Sequence, residues 1–212
     1  MNSDGLGQGR FAPSSWAQVT DLIARAPLAW IVSRAGAGIS ATPLPLRARV
    51  DGDGRLVRLD GHFARSNPQT NALREDPGAL ILFMGVGGYI SPSWMNDRTQ
   101  APTWTYESLQ IRAELELFDD PLRLCTSIDD LVEGHEAGRP NRWSVQEMGE
   151  RYERLSQAIV GFEARILGIE AKFKLGQDER ADVLEDILAG LAATGCSDLA
   201  AAIDGANQHR RR

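Results

Sequence analysis

The residues best suited to chemistry lie in one stretch, Gly61-His62-Phe63-Ala64-Arg65-Ser66-Asn67-Pro68-Gln69. Upstream, Arg55-Leu56-Val57-Arg58-Leu59 alternates polar and apolar, and downstream Ala79-Leu80-Ile81-Leu82-Phe83 is a short apolar run, so a strand is expected on each side. Between them the sequence predicts a short helix: Ser66 or Asn67 can cap it, Pro68 suits its first position, and Asp76-Pro77-Gly78 stops it. A helix start offers free backbone N–H groups and the positive end of a dipole, and Arg65 adds a bidentate cation. That chemistry suits a phosphate; the alternative is a capped surface helix with a solvated arginine.

The elements around this stretch read as follows. Residues 14–26 form a helix with Trp16, Val19, Leu22 and Ile23 on one face, ended by Pro27. Leu28 to Ser33 and Ile39 to Val50 read as a hairpin across Ala35-Gly36-Ala37-Gly38, and Asp51-Gly52-Asp53-Gly54 turns the chain into a third antiparallel strand. The Gly36-x-Gly38-x-x-Ala41 spacing imitates a dinucleotide fingerprint, but Thr42-Pro43-Leu44-Pro45 cannot open the helix that motif requires. After a strand from Ala79 to Val86 come Gly87-Gly88 and an aromatic segment. Thr103 to Phe118 then alternates cleanly, with Ile111, Ala113, Leu115 and Leu117 opposite Gln110, Arg112, Glu114 and Glu116. Helices are expected at 121–138 and 144–159, a strand at 160–175, and closing helices from Asp178.

Short antiparallel strands with late helices indicate a mainly β, α+β architecture, a small closed barrel flanked by helices. The expected organisation is a mobile segment 1–10, a barrel domain 11–177 with inserted helices 121–159, C-terminal helices 178–205 on the same domain, and a charged tail 206–212.

At 212 residues, 42% hydrophobic and 25% charged, the composition is that of an ordinary globular chain. The net charge of −6 disfavours non-specific attraction to nucleic acid or anionic membrane. No apolar run approaches bilayer length and no early segment resembles a signal peptide, so a cytoplasmic protein is expected. Cys125 and Cys196 belong to no paired motif and are expected to be small buried residues. With only His62, His135 and His209 present, no histidine-based metal site is expected.

The run Gly61 to Gln69 resembles the Gly-His-(Met/Phe)-Ala-Arg-(Ala/Ser)-Asn-Pro-Gln signature of the PaiB-like FMN-binding transcriptional regulators, a branch of the flavin-binding split-barrel superfamily. Tyr89-Ile90-Ser91-Pro92-Ser93-Trp94 and Pro102-Thr103-Trp104-Thr105-Tyr106 are similar to further family segments, as are Ala41 to Leu46, Ile159 to Glu163 and Lys172 to Gln177. The likeness runs from about Phe11 to Leu191. It implies an antiparallel split β-barrel of the FMN-binding type, an FMN cofactor, and a homodimer with the flavin at its interface. It implies cofactor contacts from His62, Ala64, Arg65, Ser66, Asn67 and Gln69 at the phosphate, and from Tyr89, Trp94, Trp104, Tyr106, Lys174 and Gln177 elsewhere.

From residue chemistry alone, alternatives stand beside each of these roles. Asn67 can be only a cap, Gln69 only a surface residue and His62 only an internal hydrogen-bond partner. The aromatics can cap barrel ends or fill interfaces. Lys172 and Lys174 share a strand face and can be a solvated pair. The chain departs from the family pattern at Pro43, Gly87, Thr105, Gly176 and Asp178. Two further readings are therefore carried: an FMN-dependent oxidoreductase using NAD(P)H, and a degenerate non-flavin dimeric barrel serving interaction. Direct DNA reading is not expected, because the second helix of the only helix-turn-helix-like segment, Ser197 to Ile203, offers no basic side chain.

Overall fold

The computed structural model describes residues 6, 7 and 9–210. The expectations for residues 1–5, 8, 211 and 212, in the N-terminal segment and the charged tail, lie outside the described residues. The chain divides into two compact units: the described residues of Met1–Leu22, Met84–Leu109 and Glu170–Arg212, and Ile23–Phe83 with Gln110–Ile169.

The second of these units holds the motif. Strands β1 (Leu28–Ala35) and β2 (Gly38–Pro45) form the expected hairpin, in register Trp30 to Pro43, with Gly36 at φ +59° in its turn. β1 also pairs with β5 (Gly78–Ile90), Trp30 facing Leu82. Strand β4 (Leu56–Ala64) lies between β3 (Arg47–Val50) and β7 (Ile159–Lys174). With β6 (Thr103–Phe118), the antiparallel order is β2-β1-β5-β6-β7-β4-β3.

That order explains the barrel. β2 and β3 are separated by Leu46 alone, yet stand at opposite ends of the strand order, so the sheet has to curl back on itself within this unit. The sequence reading runs one strand from Ile39 to Val50; the structure splits it. Pro43 and Pro45 lack the N–H that would extend the ladder, Leu46 is buried, and its N–H donates to the Pro27 carbonyl at 2.9 Å. Inside, the Phe63 and Phe162 rings lie 5.2 Å apart. Gly61 is required there, since a Cβ on it would sit 2.7 Å from both Leu46 Cδ2 and Phe162 Cζ.

The alternation of β6 holds over Ile111, Ala113 and Leu115, which are buried, while Leu117 is half-buried. Of the inserted helices, α3 (Pro121–Glu136) starts on Pro121 with Asp120 capping the Arg123 N–H. The helix expected at 144–159 is instead a 3-10 turn (Val145–Met148) and a short α4 (Arg151–Ser156), broken where Gly149 adopts φ +54°.

The other unit contains α5 (Ala181–Ala193) and α6 (Ser197–Asn207). The helical pattern of the sequence puts Val183, Leu184, Ile187, Leu188 and Leu191 on one stripe of α5, and all of these but Leu188 are buried. Residues at both termini are engaged: Leu6 is buried, and Asn207 is fully buried with its amide donating to the Leu175 and Ile203 carbonyls, both at 2.8 Å. Arg210 donates to Asn207 Oδ1 and to the Gly176 and Glu179 carbonyls. The described part of the segment read as a charged tail is therefore a polar latch. Gly176 holds φ +76°, a backbone position that favours glycine, so one departure from the family pattern has a conformational cause.

Cys125 is half-buried and Cys196 exposed, correcting the expectation that both are buried. Among the described residues no helix is long and apolar enough to cross a membrane.

Candidate functional site

The twelve candidate residues fall into the two units. His62, Ala64, Arg65, Ser66, Asn67 and Gln69 sit together; Tyr89, Trp94, Trp104, Tyr106, Lys174 and Gln177 belong to the other unit.

The first group is built on the end of β4, which runs through His62 and Ala64 before the seven-residue helix α2 (Gln69–Glu75) begins. Gln69 is 1% exposed. Its amide nitrogen donates to the Ile31 carbonyl at 3.0 Å and the Ser33 hydroxyl at 2.9 Å, and its oxygen accepts from Thr42 Oγ1 at 2.6 Å. Asn67 donates to Thr42 Oγ1 at 2.9 Å and accepts the Gln69 N–H at 2.9 Å. Asn67, not Ser66, thus supplies the side-chain cap. Both amides tie the helix start to the inner side of the β1–β2 hairpin. Thr42, which sequence reasoning did not single out, is the hub of this network; its place in the stretch Ala41 to Leu46 was the available signal.

The helix start differs from the expectation of unpaired donors. The Arg65 N–H donates to Ala158 O, Asn67 N–H to Ala64 O, and Thr70 N–H to Asn67 O, at 2.8, 2.9 and 3.1 Å. The Arg65 guanidinium is also engaged. Its Nε reaches the Gln157 carbonyl at 2.8 Å, Nη2 the Ile159 carbonyl at 2.9 Å, and Nη1 pairs with Asp119 at 2.7 Å. Asp119 bridges Arg65 and Arg74; burial raises its pKa, but hydrogen bonds and charge from the two arginines outweigh that and hold the carboxyl below the usual range. Ser66, by contrast, is exposed, and its hydroxyl has no partner among the described residues.

His62 is half-buried, and desolvation pushes its pKa below the ordinary value. It is therefore neutral at pH 7. A histidine with a depressed folded-state pKa binds its proton more readily unfolded, so its contribution to stability is complete above the unfolded value of about 6.5 and is lost as pH falls below it. His62→Gln is expected to flatten the pH dependence of thermal unfolding just below about pH 6.5; an unchanged profile would show that His62 does not titrate across folding.

In the other unit, Tyr89 and Trp104 are 47% and 62% exposed and meet edge to face at 6.1 Å between centroids. The Lys172 ammonium lies 5.8 Å from the Tyr106 centroid and 5.9 Å from that of Phe11. Lys174 bonds Thr103 Oγ1. Trp94 packs against Gly190 of α5, where a Cβ would collide with its indole. Gln177 folds onto its own turn, donating to Phe173 O and accepting from Leu175 N, both at 2.7 Å. Trp94 and Gln177 are thus engaged by the fold, while Tyr89 and Trp104 leave aromatic surface uncovered. Thr105 is 2% exposed and its hydroxyl has no hydrogen-bond partner among the described residues.

Residues 8–167 match the model of the family described as "Putative FMN-binding domain". The chain belongs to that family. FMN is accordingly its cofactor, and the turn carries groups that suit an anion, an uncommitted Ser66 hydroxyl beside the Arg65 guanidinium. A relative in Bacillus subtilis (strain 168), named protease synthase and sporulation protein PAI 2, is 30% identical over 139 residues, 65% of this chain and 65% of that protein, just under two thirds of its length. Among solved structures, an FAD and heme binding protein from Mycobacterium smegmatis shares the fold at a TM-score of 0.57 and 21% identity, over 84% of this chain and 79% of that one. The conserved hypothetical protein Rv2991 from Mycobacterium tuberculosis gives a TM-score of 0.57 at 12% identity, over 79% and 89% of the two chains. The split-barrel architecture expected from sequence is the one found.

Proposed function

We propose that the chain is an FMN-binding split-barrel protein of the PaiB-like regulator type, with the flavin phosphate held at the turn 62–69. The observation that carries this reading is the free Ser66 hydroxyl on an exposed turn whose every neighbour is fixed. Asn67 and Gln69 are locked to the β1–β2 hairpin, and Arg65 to the Gln157 carbonyl and to Ile159 at the start of β7. Such a turn loses little freedom when an anion binds. Ser66 donates to a phosphate oxygen, and Arg65 supplies positive charge beside it while its Nε and Nη2 keep the turn in place. Bound FMN supplies redox chemistry through its ring; the residues of the turn hold and orient its anionic end.

The reading extends to assembly. The outer face of β1 and β2 leaves Leu28, Trp30 and Ile39 at 62%, 51% and 78% exposure, an apolar face of the kind a second copy of the chain covers. A homodimer formed there, and regulation exerted through a partner or small molecule rather than by direct reading of DNA, complete the proposal.

The test is a pair of titrations followed by flavin fluorescence, one with FMN and one with riboflavin, which lacks the phosphate. Ser66→Ala is expected to weaken FMN about tenfold, the value of one hydrogen bond to a charged group, and to leave riboflavin unchanged. Arg65→Ala is expected to weaken FMN more strongly. Equal affinity of wild-type protein for the two flavins would remove the phosphate from this turn; failure to take up either would remove the flavoprotein reading altogether.

A further inference from the structure

A cavity lies in the same unit as the turn but uses none of its residues. Beneath α3 is a cavity of about 260 Å³. Its walls come from five elements: Arg49 of β3, Asp60 of β4, Phe118 of β6, Leu122 and Arg123 of α3, and Glu163 of β7. A volume just below the roughly 300 Å³ at which drug-sized pockets begin suits a metabolite of a few heavy atoms.

The charges are arranged in pairs. Arg49 engages Asp60 through Nε and Asp130 through Nη2, while Arg123 engages Glu116 through Nη1 and Glu163 through Nη2. Three polar atoms of these side chains remain without a partner among the described residues: Nη1 of Arg49, Nε of Arg123 and Oδ1 of Asp60. Asp60 is 6% exposed overall, and its carboxylate is among the groups that line the cavity. The apolar wall is equally specific. The Arg123 guanidinium stacks 4.1 Å above the centre of the Phe118 ring, and Leu122, next to it in the chain, is 80% exposed.

Two guanidinium groups and two carboxylates line one small space. A simple anion entering it meets Asp60 and Glu163 along with the arginines, and a simple cation meets Arg49 and Arg123 along with the acids. Only a ligand carrying both charges on neighbouring groups is favoured by both. We propose that this cavity binds a free α-amino acid with an aliphatic side chain: its carboxylate on Arg49 and Arg123, its ammonium on Asp60, its hydrocarbon against Phe118 and Leu122. The two polar contacts use atoms that the fold leaves without a partner among the described residues, and the apolar contact rests chiefly on the exposed Leu122, since the Phe118 ring is itself covered by Arg123. The site stands independently of the flavin, since no residue of the turn lines it.

The experiment is isothermal titration of the purified protein, flavin retained as isolated, with L-leucine, 4-methylpentanoic acid and 3-methylbutylamine, the last two each keeping one charge of the amino acid. Leucine is expected to bind in the micromolar to low millimolar range, and the acid and amine at least about tenfold more weakly. Arg123→Gln and Leu122→Asp, both at accessible positions, are expected to weaken leucine about tenfold or more, with thermal unfolding run in parallel to show that each variant folds. No heat with leucine up to about 10 mM would overturn the proposal. So would binding of the lone acid or amine as tight as that of leucine, or an unchanged affinity in a folded Arg123→Gln. Since FMN titration of the same variants is expected to be normal, failure here leaves the flavin reading untouched.

Discussion

Gln69→Leu is expected to lower the melting temperature by on the order of 10 °C while leaving the fold recognisable. The substitution keeps volume and removes every polar contact of a side chain that is 1% exposed. Left behind are the Ile31 carbonyl, the buried Ser33 hydroxyl and Thr42 Oγ1, which had met the Gln69 amide at 3.0, 2.9 and 2.6 Å. Thr42 Oγ1 keeps Asn67 as a partner, so two groups are stranded, at about 1–3 kcal/mol each and roughly 2–6 kcal/mol together. For a chain of this size each kcal/mol moves the midpoint by about 2–4 °C. Thr42→Val strands fewer groups and is expected to cost about 1 kcal/mol, and the double variant is expected to cost less than the sum, because both substitutions break the same network. FMN affinity is expected to fall with Gln69→Leu as well, since the turn bearing Ser66 loses its anchor. A melting point within about 2 °C of wild type would mean that the amide is solvated in solution and that the turn is not held from inside.

That network marks the boundary of what could be read in the residues. Patterns with a short period were legible: the alternation of Thr103 to Phe118, the apolar stripe of α5, the hairpin at Gly36, the stop at Asp76-Pro77. Each depends on neighbours a few residues away. Partner choice was not legible. Arg65 looks like an anion clamp from its neighbours, yet Asp119, Gln157 and Ile159 meet its guanidinium only after β6 and β7 have been laid beside β4. Gln69 looks like a surface residue of a capped helix, and its burial follows from where β1 and β2 pass. The closing of the barrel turns on Leu46, whose inward position follows from two prolines that end a ladder, a cue visible in the sequence but outweighed by the apolar run around it. The stretch proposed to hold the phosphate stands out in the sequence as a run of specific residues; the division of labour within it, with Asn67 and Gln69 bracing and Ser66 free, required the fold.

Trp30→Glu is expected to convert a dimer to a monomer and, with it, to abolish tight flavin binding. The indole projects from β1 with 51% of its surface open, opposite Pro43 on β2 and Leu82 on β5, and Leu28 on the same face is 62% exposed. A sheet face with this composition is poorly matched to water, and a stable pairing needs roughly 600–1,000 Å² from each partner, with a central tryptophan commonly contributing about 2 kcal/mol or more. A carboxylate at that position faces its own symmetry mate in a twofold assembly, so two charges would be desolvated together, which compounds the lost packing. Light scattering coupled to size exclusion reads the change directly, and Val57→Glu, on the exposed side of β4, is the matched control expected to remain dimeric. Flavin fluorescence on the same fractions separates two mechanisms. If the monomer still holds FMN at wild-type affinity, the cofactor belongs to one chain and the interface serves assembly alone. If wild-type protein is itself a monomer that binds FMN, the apolar face of β1 and β2 has some other occupant and the dimeric half of the proposal falls.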